Sequence, residues 1–381
     1  MSWLSGYGKR ITLNINSSLI TVALTHFPIY VNLSNSSGIT GADVTDVFDV
    51  VGNNLETVAF TESDGVTRLY CEVVSWNETT KTAELWVSSS TWVISDSTTT
   101  TLFLYYGGTV RDSTYIGWVG SAAAEAVWDA NFKLVSHMND DPDTSHIADS
   151  TSNGNDGTKT ASNEPIIDTG GKIGSCQLFD GLNDLINTAD ITVNAKATFE
   201  AWIKPTALGN YEFIYKNDEF LLRQSSTFFV FFGNDGTWKN DNSPAHSNIN
   251  NWSYVAGVWD GTVVEAFSNG VGSGTPAAVG AVTDTANHIL IGAALFAAAF
   301  VGYIDEVRVS DIDRSDAWVG ASYETQRDHL ITYSTPEPEH PQSRTWKPTP
   351  QIFTKKERIL IEHREAFKKF IEFLKVKRGI N

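Results

Sequence analysis

Cysteine is almost missing from this chain: Cys71 and Cys176 are the only two in 381 residues. No disulfide framework can organise a protein of this size with so few. A bridge between them would need Cα atoms within about 7 Å, so both are expected to be small buried hydrophobes instead. No apolar run reaches the roughly 18 residues of a membrane-spanning helix. The opening residues, MSWLSGYGKRITLNI, lack an apolar stretch and a small-residue cleavage site, so no secretory signal is expected. Charge is sparse at 19%, while aromatic residues reach 12%. A disordered chain would reverse that balance. A G-x-S-x-G nucleophile elbow, a P-loop and an H-E-x-x-H pair are all missing as well.

What is present reads as strand. Period-two alternation marks Arg10–Ile15, Pro28–Leu33, Leu69–Val74 and Ala83–Val87, with turn chemistry at 63–65 and 77–81. Thr101–Tyr106 reads as a buried strand closed by Gly107 and Gly108. Strand signals resume at Cys176–Phe179 and run to about Val309. Phe228–Phe232 is apolar on both faces, as a central strand of a two-sheet sandwich should be. Five prolines between Thr335 and Pro350 then predict an extended linker. Beyond it, Thr354–Arg378 has helical periodicity, with Leu360, Phe367, Phe370, Ile371 and Leu374 along one stripe. The expected fold class is all-β, with two β-sandwich domains at 1–135 and 136–333. A Pro-rich linker at 334–352 and a basic amphipathic helix at 353–381 follow.

Charge divides along the same line. Residues 344–381 carry 11 basic and 4 acidic residues, whereas residues 1–343 carry 16 and 41. An acidic body repels nucleic acid, so nucleic acid is not an expected partner. A solvated helix needs no row of Phe side chains, so the tail is expected to dock on a larger protein assembly.

Several phrases occur in a telling order. Phe179-Asp-Gly181 with Asp184 precedes Thr198–Pro205, then Trp252–Gly261, Phe267–Gly270 and Gly302–Val309. This series resembles the laminin-G-like, concanavalin A-like domains of surface proteins. The stretch before it resembles the uncharacterised β domain that often precedes such domains, through Trp3, Lys9-Arg10, Phe27-Pro28, Leu85–Val87 and Tyr105–Gly107. The resemblance implies a jelly roll and one structural calcium as cofactor, held by Asp180, Asp184 and Asp305.

Glycoside hydrolysis requires two carboxylates facing one bond, and no acids at alternate strand positions supply them. Catalysis is therefore not expected. His137 and His146 form a loose pair beside an acidic loop, for which an ordinary surface role is expected. Sugar recognition stacks an exposed aromatic on a ring face beside Asn and Asp, which directs attention to Trp238, Asn234 and Asp235, with Tyr211 as a second aromatic. The combined expectation is an adhesive or decorative protein of a virion surface, a capsid decoration or fibre, with glycan contact on its body. A cell-surface adhesin and a polysaccharide-active enzyme are the alternatives.

Overall fold

The computed structural model describes residues 2–339, apart from 110, 161, 194, 246–248 and 293–297, together with residues 363, 366–373 and 377. Contacts divide the chain into Met1–Glu339 and His340–Asn381. The proline-rich stretch from 340 onward, Leu360 and Leu374 lie outside the described residues.

The first half is built from β1 (Lys9–Ile15), β2 (Ile29–Leu33), β3 (Ala59–Glu62), β4 (Arg68–Asn77), β5 (Thr82–Ser88), β6 (Thr100–Tyr106) and the short β7 (Ile116–Trp118). Each carries the β-branched and aromatic residues that fit a pleated surface. β4 pairs with β3 at Arg68 and Leu69, then with β5 from Tyr70 to Asn77, with a bulge between Val73 and Ser75. The sheet thereby folds over a core containing Phe27, Phe48, Phe60 and Trp92.

The second half holds β8 (Phe132–Ser136), β9 (Cys176–Asp180), β10 (Ile186–Asp190), β11 (Ala197–Pro205), β12 (Tyr211–Lys216), β13 (Phe220–Gln224), β14 (Phe229–Asn234), β15 (Trp238–Asn242), β16 (Ser253–Trp259), β17 (Val263–Ser268), β18 (His288–Ile291) and β19 (Val301–Ser310). One sheet runs β9-β19-β11-β16-β17, with β8 also on β19; the facing sheet runs β10-β18-β12-β13-β14-β15. Phe199, Phe220, Phe231 and Trp259 interlock between them, with ring centroids 5.4–5.9 Å apart. Gly257 on β16 meets the Phe231 ring so closely that an added Cβ would lie 2.4 Å from it. All-β sandwich architecture is thus what the alternation encoded. Both cysteines are free and buried.

Helix α1 (Asp316–Gln326) follows, capped by Ser315, whose hydroxyl accepts from the Trp318 amide. It lies between the two halves. Trp318 packs on Phe27, with ring centroids 4.8 Å apart. Val319 joins Trp202, Tyr254 and Phe267 on the outer face of the β11–β16–β17 layer. The face of β16 holding Tyr254, Ala256 and Val258 is therefore buried, although it points away from the inter-sheet core.

The expected boundary at 135 falls inside β8, and the one at 333 falls at the end of a strand that belongs to the first sheet. β8 bonds to β19 of the second sandwich. After α1 the chain returns to the first, where β20 (Ile331–Tyr333) and β21 (Glu337–Pro338) both pair with β1. The first sheet therefore runs β20-β1-β6-β3-β4-β5-β2, and is completed by the last residues of the body. The first residues of the expected linker, to Glu339, are tied down by the same pairing, the Glu339 amide donating to the Gly8 carbonyl.

Candidate functional site

The sheet β12–β15 buries alternate residues and leaves its other face outward. Phe220, Leu222, Phe229 and Phe231 point into the core. Register places Glu212 opposite Arg223, Tyr215 opposite Leu221, and Leu221 opposite Phe232. On β15, Trp238 stands opposite Asn234. A bulge between Glu212 and Ile214 turns both Glu212 and Tyr215 to the outer side. Glu212, Tyr215, Leu221, Arg223, Phe232 and Trp238 line a cleft of about 350 Å³.

Half of this lining is apolar and aromatic. Trp238 is 39% exposed, its ring edge-on to Phe232 with centroids 6.5 Å apart. Tyr215 donates its hydroxyl to the Asn217 side chain, and burial pushes its phenol up to about 12. Glu212 is only 2% exposed, and burial pushes its carboxyl up while the charge of Arg223 pulls it down. The Arg223 guanidinium lies over the Phe232 ring at 4.5 Å rather than on Glu212. In consequence Glu212 Oε2 and Arg223 Nε are both buried without a hydrogen-bond partner. Buried polar atoms are nearly always paired, and these two, closed to solvent, are exceptions.

Of the residues singled out from sequence, Trp238 lies in the cleft and the others do not. Tyr211 packs against the inter-sheet core at the rim, held there by its place at the start of β12. Asn234 and Asp235 build the β14–β15 turn. The Asn234 side chain donates to the Asp218 carbonyl and accepts from the Gly236 amide. Asp235 pairs with Lys239 and accepts from the Gly280 amide, contacts that hold its carboxyl well below the usual range. Glu212, Arg223 and Phe232 were not marked by the sequence. The available signal was FLLRQ followed by FVFFG, two strands apolar on both faces, which a solvated outer face would not require.

The three proposed calcium ligands do not converge. Asp184 accepts from the Asp180 amide and Asp180 from the Leu182 amide, so both shape one turn. Asp180 lies opposite Val301 and Asp305 four residues further along β19, opposite Trp202. Asp305 is fully buried and accepts from the amides of Lys172, Ile173 and Glu306. Among the described residues no group of three His, Cys, Asp or Glu side chains is placed to hold a metal ion. The residues present do not fit the single site that the resemblance implied.

His137 is not a surface residue. It is 3% exposed, with Nδ1 2.6 Å from Glu306 and Nε2 3.2 Å from Glu72. Burial opposes its charge, but the two carboxylates outweigh that and raise its pKa to about 10. Arg308 donates to Glu306 and lies over the Trp86 ring at 4.2 Å, and Trp128 donates to Glu72. Glu72 comes from the first sandwich and Glu306 from the second, so the cluster fastens one to the other. His146, by contrast, is half-buried and bonds to Asp143.

In the tail, residues 366–373 are helical, and Phe367, Phe370 and Ile371 are exposed, as is Phe373. No helix among the described residues is long and apolar enough to cross a membrane.

Residues 180–320 match the Laminin_G_3 family, described as the concanavalin A-like lectin/glucanases superfamily. No curated protein matches the chain. Among solved structures, domain 4 of AbnA, a GH43 extracellular arabinanase from Geobacillus stearothermophilus solved with arabinotriose, is 20% identical with a TM-score of 0.43. The match covers 50% of this chain and 98% of that one. The binding domain of Paraclostridial Mosquitocidal Protein 1 is 12% identical, covering 51% of this chain and 52% of its own, at a TM-score of 0.42. The botulinum neurotoxin serotype G binding domain is 16% identical, with 51% of each covered, at 0.42. The chain thus spans about half the length of those toxin domains. Likenesses this distant say nothing of what this chain binds.

Proposed function

Starting from a concanavalin A-like domain at residues 180–320, we propose that this protein is a non-catalytic glycan-binding protein whose binding surface is the cleft on the outer face of β12–β15. The observation that carries this reading is the exposed Trp238 beside Phe232, Tyr215, Glu212 and Arg223 in one concave site. An aromatic face takes the apolar side of a sugar ring, and a few placed polar groups fix its orientation. Against hydrolysis stands the lining itself: among its described residues Glu212 is the one carboxylate, whereas both retaining and inverting hydrolysis need two. The test is a glycan array probed with the full chain and with Trp238→Ala. Binding that Trp238→Ala loses supports the cleft; an array pattern that the variant keeps whole overturns it. New reducing ends or unsaturated products in the same glycans would favour the enzyme.

The setting we propose is a virion surface, with the body displayed and the C-terminal helix fastened to the shell or fibre. Exposed Phe367, Phe370, Ile371 and Phe373 on one helical stretch support it, since such a row is stable in water only when a partner covers it. Cosedimentation with virus particles, for the full chain and for a chain ending at Glu339, tests it. Equal occupancy of both would dispose of the anchor, and recovery with a cell envelope instead would favour an adhesin.

A further inference from the structure

Trp118 is 48% exposed, whereas Trp86 and Trp92 of the same half are buried in its core. Core packing therefore does not account for it. Its backbone is nonetheless fixed on both sides. β7 pairs in parallel with β4, which sets Trp118 opposite Val73. The Trp118 carbonyl accepts from the Ser121 amide, and Gly117 packs so tightly against Ser121 that an added Cβ would stand 2.2 Å from its hydroxyl. A large ring presented on an ordered backbone costs a ligand little further ordering.

Clefts of about 320 and 560 Å³ adjoin this residue, and Trp118 and Val119 line both. The first opens between the two sandwiches, bringing Val73 and Val74 of β4 together with Asn139, Asp141 and Ile167 of the second half. The second is lined by Asn53, Asn54, Glu56, Arg111 and Ser113. Among the described residues neither the Trp118 indole N–H nor the side-chain amides of Asn53 and Asn139 have a hydrogen-bond partner. All three residues are exposed or half-buried, so they stand open to a ligand.

We infer that Trp118 is the centre of a second glycan site, which takes a neutral oligosaccharide laid across the indole with sugar residues in both clefts. Carboxamides suit sugar hydroxyls because each offers donors and an acceptor. Acidic sugars are disfavoured, since Glu56, Asp140 and Asp141 line the clefts and Arg111 is already bonded to Asn54. A protein partner would need a broader apolar face, whereas Trp118 and Ile167 are the exposed large apolar residues in the two linings. The site is independent of Trp238, which belongs to the other sandwich.

The experiment titrates the full chain with xylo-, cello- and manno-oligosaccharides, from the monosaccharide to the hexasaccharide, following indole N–H resonances by NMR. Trp118→Ala and Trp238→Ala each delete one resonance and so assign it, and circular dichroism checks that both keep the wild-type fold. At least one series should shift the Trp118 resonance in wild type and in Trp238→Ala alike. Affinity should rise roughly tenfold or more from the monosaccharide to the trisaccharide, as hydrogen bonds form in the second cleft. Asn53→Ala and Asn139→Ala, one in each cleft, should each remove part of that gain. Equal affinity for the monosaccharide and the trisaccharide overturns the inference. A Trp238 resonance that shifts while that of Trp118 stays still also overturns it and leaves the cleft on β12–β15 in place. The reverse upholds it and removes that cleft. A Trp118 resonance that moves with protein concentration alone assigns the surface to a second copy of the chain and overturns the glycan. If neither resonance moves with any sugar, both readings fall.

Discussion

A carboxyl such as that of Glu212, buried and short of one partner, weighs on the folded state at neutral pH. Its folded pKa is raised, so the stability linked to it is present below the unfolded pKa and is lost as pH rises through the folded one. Glu212→Gln should therefore raise the melting temperature at pH 7. Calorimetry of the two proteins at pH 4 and pH 7 checks this, with the gain smaller at pH 4. Trp238→Ala separates stability from binding. At 39% exposure on an edge strand it should cost within about 0.5 kcal/mol of stability by urea titration, yet abolish glycan binding at its cleft. Gly257→Ala drives a Cβ into the Phe231 ring and should cost roughly 1–3 kcal/mol, as overpacking does. At this scale Trp238 was legible, because an aromatic among Asn, Asp and Gly is visible in one line of sequence. Glu212 and Arg223 were not, since their meaning depends on register: they are eleven positions apart in sequence and opposite one another in the sheet. Asn234 and Asp235 misled for a related reason, as the same residue types build turns and bind sugars.

Among the elements, strands were read well and α1 was not anticipated. Alternation reports a half-buried strand directly. The helix DAWVGASYETQ is buried on two sides, by Phe27 of one half and by Phe132, Trp202 and Tyr254 of the other. It therefore shows no single apolar stripe. The returning strands were hidden as well, because β20 reads as the last residues of the second sandwich and β21 lies among the prolines of the expected linker. β20 and β21 cover β1 on its open side. A chain cut after Glu339 should melt like the full protein, whereas one cut after Leu330 exposes that edge and the apolar Ile331 and Tyr333 sites. The second is expected to aggregate or to lose the cooperative transition of the first half, as read by tryptophan fluorescence during thermal unfolding.

Over the whole molecule the two sandwiches share α1 and the His137 cluster. Neither was legible, because Glu72, His137 and Glu306 meet only once both domains are folded and docked. The cluster makes stability depend on pH. His137 has its folded pKa raised from 6.5 to about 10, so its contribution is complete below about pH 6.5 and declines as pH rises toward 10. The melting temperature of the wild type should fall across that window. His137→Gln should start lower at pH 6.5 and change less, and its calorimetric trace should tend to split in two as the halves uncouple. The return of β20 and β21 to β1 also bears on how the chain is made. Synthesis runs from β1 onward, so the first sheet waits for its closing strands until the entire second sandwich has left the ribosome. From Trp118 to Ile331 that interval is roughly 10–40 s at about 5–20 residues per second. Throughout it β1 presents an open edge, and the second sandwich has time to form before the first can close.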